Sequence, residues 1–407
     1  RIQRAILCTD WLCAGIDGQW SGGDTQGGEM MNERGEIPVE IVHLYAYDVG
    51  RSIDLDKVAS LVPAHRDIAL AKRRDTPAYL TLPKPLVLSI STEECNSKLF
   101  GKISAMAKIY EDGAITMIVR YCTMSTFEEL PSKAHMPIRD VSGSSSIEQF
   151  AEASFRMVRE ALRSAIVGYK ELSEGDRETY IAFCLLECPG DDPQAFVNAH
   201  KDLAASLISG ETVGTLHISQ IEQILAKPFS YRRNDIAIFD LDRCLIIDPS
   251  ADYDDVLMMA EHANYRLIEL RELDFLLDEW LGEAERDIRR LYFSSRRKRS
   301  SERALRLKLA QIQGLRFDAL FTLENLDNSS KIIGDYFLGS IYHRLCEIFN
   351  TDEWKFSVER RLNALQNIYE LLKSDTTEQR MMTLEMVFIA VCIIFPILQI
   401  LQVMLVK

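Results

Sequence analysis

The sequence predicts an α+β N-terminal domain, a long-helix bundle or coiled-coil stalk, and a single C-terminal transmembrane helix. Three observations predict this. Short β-rich runs separated by turn residues fill the stretch from Val39 to Asp248. After Tyr253 apolar residues recur at alternating steps of three and four, the signature of helical seams. From Met386 to Val406 there are 21 residues without a charge, and about 20 apolar residues are what a bilayer core requires. The 407 residues correspond to roughly two to three domains. Their boundaries are read as a mobile leader (1–38), an α/β domain (39–248), a helical stalk (249–383) and the membrane helix (384–407).

The leader is rich in glycine and acid, with Gly22–Gly23 and Gly27–Gly28. It has neither the apolar region of a secretory signal nor the basic character of a transit peptide. Strands are expected at Val39–Tyr47, Leu86–Ile90, Ile103–Tyr110, Ala114–Cys122 and Tyr180–Glu187, with Glu111-Asp112-Gly113 as a hairpin turn. Helices are expected from Ser146 to about Leu172 and near Gln194–Ile208, followed by a last strand pair, Phe229–Arg232 with Asp235–Ile247. The stalk begins with a helix over Asp254–Tyr292 whose seam runs through Leu270, Leu277, Ala284 and Leu291. Further helices are expected at Glu302–Lys331, Asp335–Phe349 and from Asp352, the last with a seam at Val358, Leu362, Leu365, Tyr369 and Leu372. These seams need partners, in the same chain or in a neighbouring subunit. Within the membrane run, Pro396, Gln399 and Gln402 are the interruptions. Two amides one turn apart in hydrocarbon want hydrogen-bond partners, so a homo-oligomer is expected.

The charge of −14 repels a phosphate backbone, and nucleic acid is not an expected partner. Nine cysteines without a C-x2-C pair read as free thiols. Asp240-Leu-Asp242 after an apolar run resembles the first motif of haloacid-dehalogenase-type phosphatases, which would make Asp240 the nucleophile and Asp242 the general acid. Arg243 and Cys244 stand where that motif has Gly and Thr, and a solvated acidic turn is the favoured reading. Asp248, Asp252, Asp254 and Asp255 lack the spacing of a calcium loop and are read as caps. Cys184 and Cys188 have no His at ligand spacing, and the seven histidines are scattered. No catalytic residue, metal site or cofactor is therefore assigned. Arg296, Arg297, Lys298 and Arg299 form a basic cluster. It is either a solvated turn between two long helices or a patch facing membrane headgroups on the cytoplasmic or organelle-matrix side, with the N-terminal bulk of the chain on that side.

Several segments together suggest a family. Phe229-Ser-Tyr231, Asp235-Ile-Ala-Ile-Phe-Asp240, Glu261-His-Ala-Asn264 running on to Asp274, Tyr336, Tyr342, Arg380 and the apolar tail resemble the "required for meiotic nuclear division" family. That resemblance implies a membrane-anchored, self-associating protein, whose mitochondrial relatives are linked to organising translation at the inner membrane. Ile394-Phe395-Pro396-Ile397-Leu398 is similar to the tail of CorA-type divalent-cation channels, although the Gly-Met-Asn pore signature of those channels is missing. The expected function is a membrane-anchored, self-associating scaffold without its own catalysis. The alternatives are a CorA-like cation channel and a metal-dependent phosphatase at Asp240 and Asp242.

Overall fold

The computed structural model describes residues 35–66, 84–90, 103–135, 137–140, 143–172, 177–190, 192–293, 307–317, 319–320, 323 and 335–405. The chain divides into two compact units, residues 1–269 with 326–352, and residues 270–325 with 353–407.

The first unit is a mixed sheet covered on both faces. Its strands are β1 (Ile37–Asp48), β2 (Ser52–Ile53), β3 (His65–Arg66), β4 (Leu86–Ile90), β5 (Ser104–Ile109) and β6 (Ala114–Ser125), then β7 (Pro137–Asp140), β8 (Gly143–Ser146), β9 (Ile166–Val167), β10 (Glu178–Leu185), β11 (Ile236–Phe239) and β12 (Arg243–Ile247). Eight of them form one sheet in the order β11-β12-β10-β1-β6-β5-β4-β3. β10 and β12 run parallel and the other pairs of this sheet are antiparallel. Successive side chains of a strand point to opposite faces, so β1 sends Val39, Ile41, Tyr45 and Tyr47 one way and Glu40, Val42, Leu44 and Ala46 the other. The first set joins an apolar core with helices α1 (Leu55–Leu61), α3 (Ile147–Leu162), α4 (Pro193–Ala199) and α5 (Lys201–Ser209); α2 (Leu130–Lys133) and α6 (Ile218–Ile224) are short. α3 starts where its sequence dictates. Ser146 and Gln149 exchange a reciprocal capping box, and Ile147, Ala151, Ser154, Phe155, Val158 and Leu162 make its buried stripe. The opposite face is covered by the first turns of α7 (Asp254–Phe293) and by α8 (Tyr336–Ile348).

Several sequence-based boundaries shift for visible reasons. β1 begins at Ile37, so the leader of 1–38 gives its last two residues to the sheet, and residues 1–34 lie outside the described residues. α3 ends at Leu162, ten residues short of Leu172, because the chain turns back to pair β9 with β2. The helix expected over 194–208 breaks at His200, whose backbone leaves the helical region and whose Nδ1 lies 2.9 Å from the Phe196 carbonyl. Phe229–Arg232 makes only a single bridge, Phe229 to Ala237, since Asp235 accepts the backbone N–H groups of Tyr231 and Arg232 and curls them into a turn. Asp235–Ile247 is two antiparallel strands joined at Asp240–Asp242, with the Asp240 N–H donating to the Arg243 carbonyl at 2.9 Å.

The second unit is helical. The part of α7 from Leu270, the helical residues 307–317 and the part of α9 (Thr351–Leu405) from Glu353 meet along Leu277, Ala284, Ile312, Val358, Leu365 and Tyr369, all buried. α7 and α9 run parallel here. Ser357 and Arg361 pair with Asp274, Arg361 reaches Asp278, and the Tyr369 hydroxyl donates to Asp287 at 3.0 Å. The described parts of the seams, 270–288 and 358–372, thus find partners within one chain, which removes the need for a neighbouring subunit to cover them.

Beyond Leu372 the character of α9 changes. Every described side chain from Met381 to Pro396, together with Leu398, is exposed, although 386–396 holds no charge. Among the described residues no helix is long and apolar enough to cross a membrane, so the transmembrane helix expected over 384–407 is not found as such.

Candidate functional site

Charged side chains gather on the α7-covered face of the sheet. β5 and β6 are in register Lys108 to Thr116, so both side chains leave the same face side by side, and Tyr110 follows two residues on. Glu261 reaches them from the second turn of α7. Its Oε2 accepts from Lys108 Nζ at 2.7 Å, and its Oε1 accepts from the Tyr110 hydroxyl at 2.9 Å and from Thr116 Oγ1 at 2.5 Å. Glu261 is 2% exposed. A buried ion pair recovers its desolvation cost only when the remaining lone pairs are also used, and here three donors converge on one carboxylate. Burial, with Glu261 next, drives the Tyr110 hydroxyl far above its ordinary range, so it stays a donor. His262 lies against the rings of Tyr265 and Tyr342. Burial first, then Arg266 and Lys108, hold it well below the usual imidazole range, and therefore neutral.

One turn further along α7 lies a second group. The turn that presents Asp112 requires glycine at 113, whose φ is +103° and whose added Cβ would stand 2.0 Å from the Gly50 carbonyl oxygen. Asp112 accepts from the Tyr265 hydroxyl and from Arg266 Nη1, the latter at 3.2 Å, and the same Nη1 donates to Glu269 at 2.6 Å. Burial raises Asp112 above its ordinary range despite Arg266, and pushes Glu269 up to about 8. Nearby, Asp48 is paired with Lys170. α7 is also held at its start, where Arg120 bridges Glu40 and Asp254 and the Tyr253 hydroxyl donates to Glu40.

A separate cavity of about 180 Å³ opens beside the β11–β12 hairpin, with Phe229, Tyr231 and Phe337 among its walls. Four of its five carboxylates, Asp235, Asp248, Asp252 and Asp335, are engaged by the chain itself. Asp235 holds the 231–232 turn, Asp248 accepts from Ser250 and from the Asp252 N–H, and Asp335 caps α8. Of the acids read as caps, Asp248 holds its turn, Asp252 pairs with Arg232, Asp254 pairs with Arg120, and Asp255 lies in the first turn of α7; among the described residues no group of three or more His, Cys, Asp or Glu is arranged to hold a metal.

Asp240 and Asp242 stand in the hairpin turn between antiparallel strands, where the phosphatase motif has a strand leading into a helix. The Tyr180 hydroxyl donates to the backbone carbonyls of Asp240 and Arg243. Burial raises both carboxyls, and Asp242 raises Asp240 further. Cys184 is buried in β10, and Cys188 falls beyond the strand. Pro396 is exposed within α9. The side chains of Gln399 and Gln402, and Arg296, Arg297, Lys298 and Arg299 altogether, lie outside the described residues.

Sequence reasoning missed the ions facing the sheet. The signal was present in Glu261, Tyr265 and Glu269, with His262 and Arg266, which recur at helical spacing among Ala260, Ala263, Leu267 and Leu270, all buried.

Comparison with known proteins places the sheet unit. An uncharacterised protein of Methanocaldococcus jannaschii is 24% identical over 264 residues, covering 64% of this chain and 76% of that one. No solved structure matches. The resemblances to the "required for meiotic nuclear division" family and to CorA-type channels are overturned, because the family found is a different one. Those resemblances rested on short segments scattered over strands, helices and the apolar tail, where amphipathic spacing recurs in unrelated chains, whereas the family match is continuous over residues 38–254. Residues 38–254, more than half of the chain, match the family described as "Uncharacterized protein MJ0711, N-terminal domain", and the chain belongs to that family.

Proposed function

We propose that this protein is a membrane-attached, self-associating scaffold in which α9 carries the attachment. The observation that supports this reading is the exposed apolar end of that helix. Phe388, Val391, Ile394, Phe395 and Leu398 are more than half exposed. With Met386, Ile389 and Ile393, which are exposed to the same degree, apolar side chains leave the helix on all sides rather than along one stripe, which suits a surrounding apolar phase better than one partner helix. The sequence continues uncharged from there to Val406. The parallel register of α7 and α9 adds support. With Asp287 opposite Tyr369, the end of α7 at Phe293 falls level with about residue 375, some 15 Å before the apolar run. The sequence reaches Arg296–Arg299 three residues after Phe293, and a basic cluster of that kind would suit anionic headgroups and keep the N-terminal bulk of the chain on the cytoplasmic or matrix side.

Self-association in this reading belongs to the apolar end, since the stalk seams are satisfied within the chain. Gln399 and Gln402 would pair between copies, contributing about 1–2 kcal/mol.

The test is extraction. The full chain should stay with membranes through alkaline carbonate washing and need detergent for release, and deletion of 386–407 should free it. Recovery of the intact chain in the wash would end the membrane reading. A monomer by mass in mild detergent would end the self-association.

A further inference from the structure

The group at Asp112 has one acid more than it has bases. Asp48, Asp112 and Glu269 stand against Arg266 and Lys170, three acids to two bases, in a site where the Arg266 side chain is 1% exposed and that of Glu269 is 9%. Asp112 and Glu269 share a single guanidinium nitrogen, Nη1, while Arg266 Nε and Asp112 Oδ1 are buried without a hydrogen-bond partner. A surplus buried charge is expensive, and a proton is the smallest species that cancels it.

We propose that Asp112 and Glu269, set on one Arg266 guanidinium, together hold one buried proton at neutral pH, and that its loss in alkali loosens the grip of α7 on the β5–β6 turn. Two carboxylates on one site resist ionising together. Burial is the larger influence on Glu269, which is opposed by Arg266 and reinforced by Asp112 and Asp48, and the result is titration at about 8. Tyr265, which donates to Asp112, and Lys170, which neutralises Asp48, belong to the charged and titratable surroundings, as do Tyr342 of α8 and the neutral His262, both of which interact with Arg266. The direction of the pH effect follows. The folded chain keeps a proton that the unfolded chain releases near the ordinary carboxylate range, so this pair's contribution to stability is greatest in acid. It declines as pH rises from that range to about 8 and is level beyond.

Infrared spectroscopy of the full chain should show a protonated-carboxyl band at neutral pH that disappears as pH passes about 8 and is missing in Glu269→Gln. Over the same interval the folding constant from urea titration should fall by up to about tenfold per pH unit, and Glu269→Gln should flatten that part of the slope. Asp112→Asn, which removes one of the two negative charges, should move the band's titration to lower pH. Absence of the band from the wild-type protein at neutral pH overturns the proposal whether or not either variant folds. A titration unmoved by Asp112→Asn overturns the sharing.

Discussion

On the face covered by α1 and α3–α5, the central strands present Ile41, Tyr47, Met117 and Val119, and Phe155 stacks on Tyr47 with ring centroids 3.6 Å apart. On the face covered by α7 and α8, the same sheet presents Glu40, Lys108, Thr116 and Arg120, each engaged with a residue at the start of α7 or just before it. The first face is held by area removed from water, which is non-directional and tolerates sliding and repacking. The second is held by pairs that work in one position only. A shift of α7 by one residue would part Glu261 from three donors and Arg266 from Asp112, so the ions fix where the helix lies while the hydrocarbon supplies most of the stabilisation.

Substitutions on the two faces should separate these roles. The largest effect is expected at Glu261→Ala, which takes the paired carboxylate from the buried Lys108 ammonium and should cost about 3–5 kcal/mol in urea unfolding. Replacing both partners, Lys108→Met with Glu261→Leu, should restore most of that or exceed the wild type. A double variant as weak as the single one would show that the pair does more than satisfy itself. Phe155→Ala on the other face should cost a similar amount, about 3–5 kcal/mol, with a loss that does not change across the neutral range. A loss that varied with pH would break the contrast between the faces. The smallest effect is expected at Thr116→Val, where Glu261 keeps two of its three donors, and about 1 kcal/mol is the usual worth of one hydrogen bond.

Local signals carried much of the fold. The Ser146–Gln149 capping box, the Asp112-Gly113 turn and the 3–4 seams of α7 and α9 are written in neighbouring residues, and each appears at or near its expected place. Where local signals misled, a distant contact had intervened. β9 cut α3 short by pairing with β2, which lies more than a hundred residues earlier. The candidate site was the least legible part. Lys108 and Glu261 are 153 residues apart, and on its own each reads as an ordinary surface charge.

The sequence by itself determined that a β-rich unit precedes a helical one, that the helical seams exist, and that residues 386–406 form an uncharged apolar run, because hydrophobic period and turn chemistry act over a few residues. Only the tertiary structure decided that the seams close on each other within one chain, that Asp240 and Asp242 sit in a hairpin turn, and that a row of ions faces the sheet. The physical reason is the same in each case. Whether a charge is solvated or buried, and whether an apolar stripe is covered, depends on which distant segment is brought against it, and that pairing is set by the whole fold rather than by the residues that carry the signal.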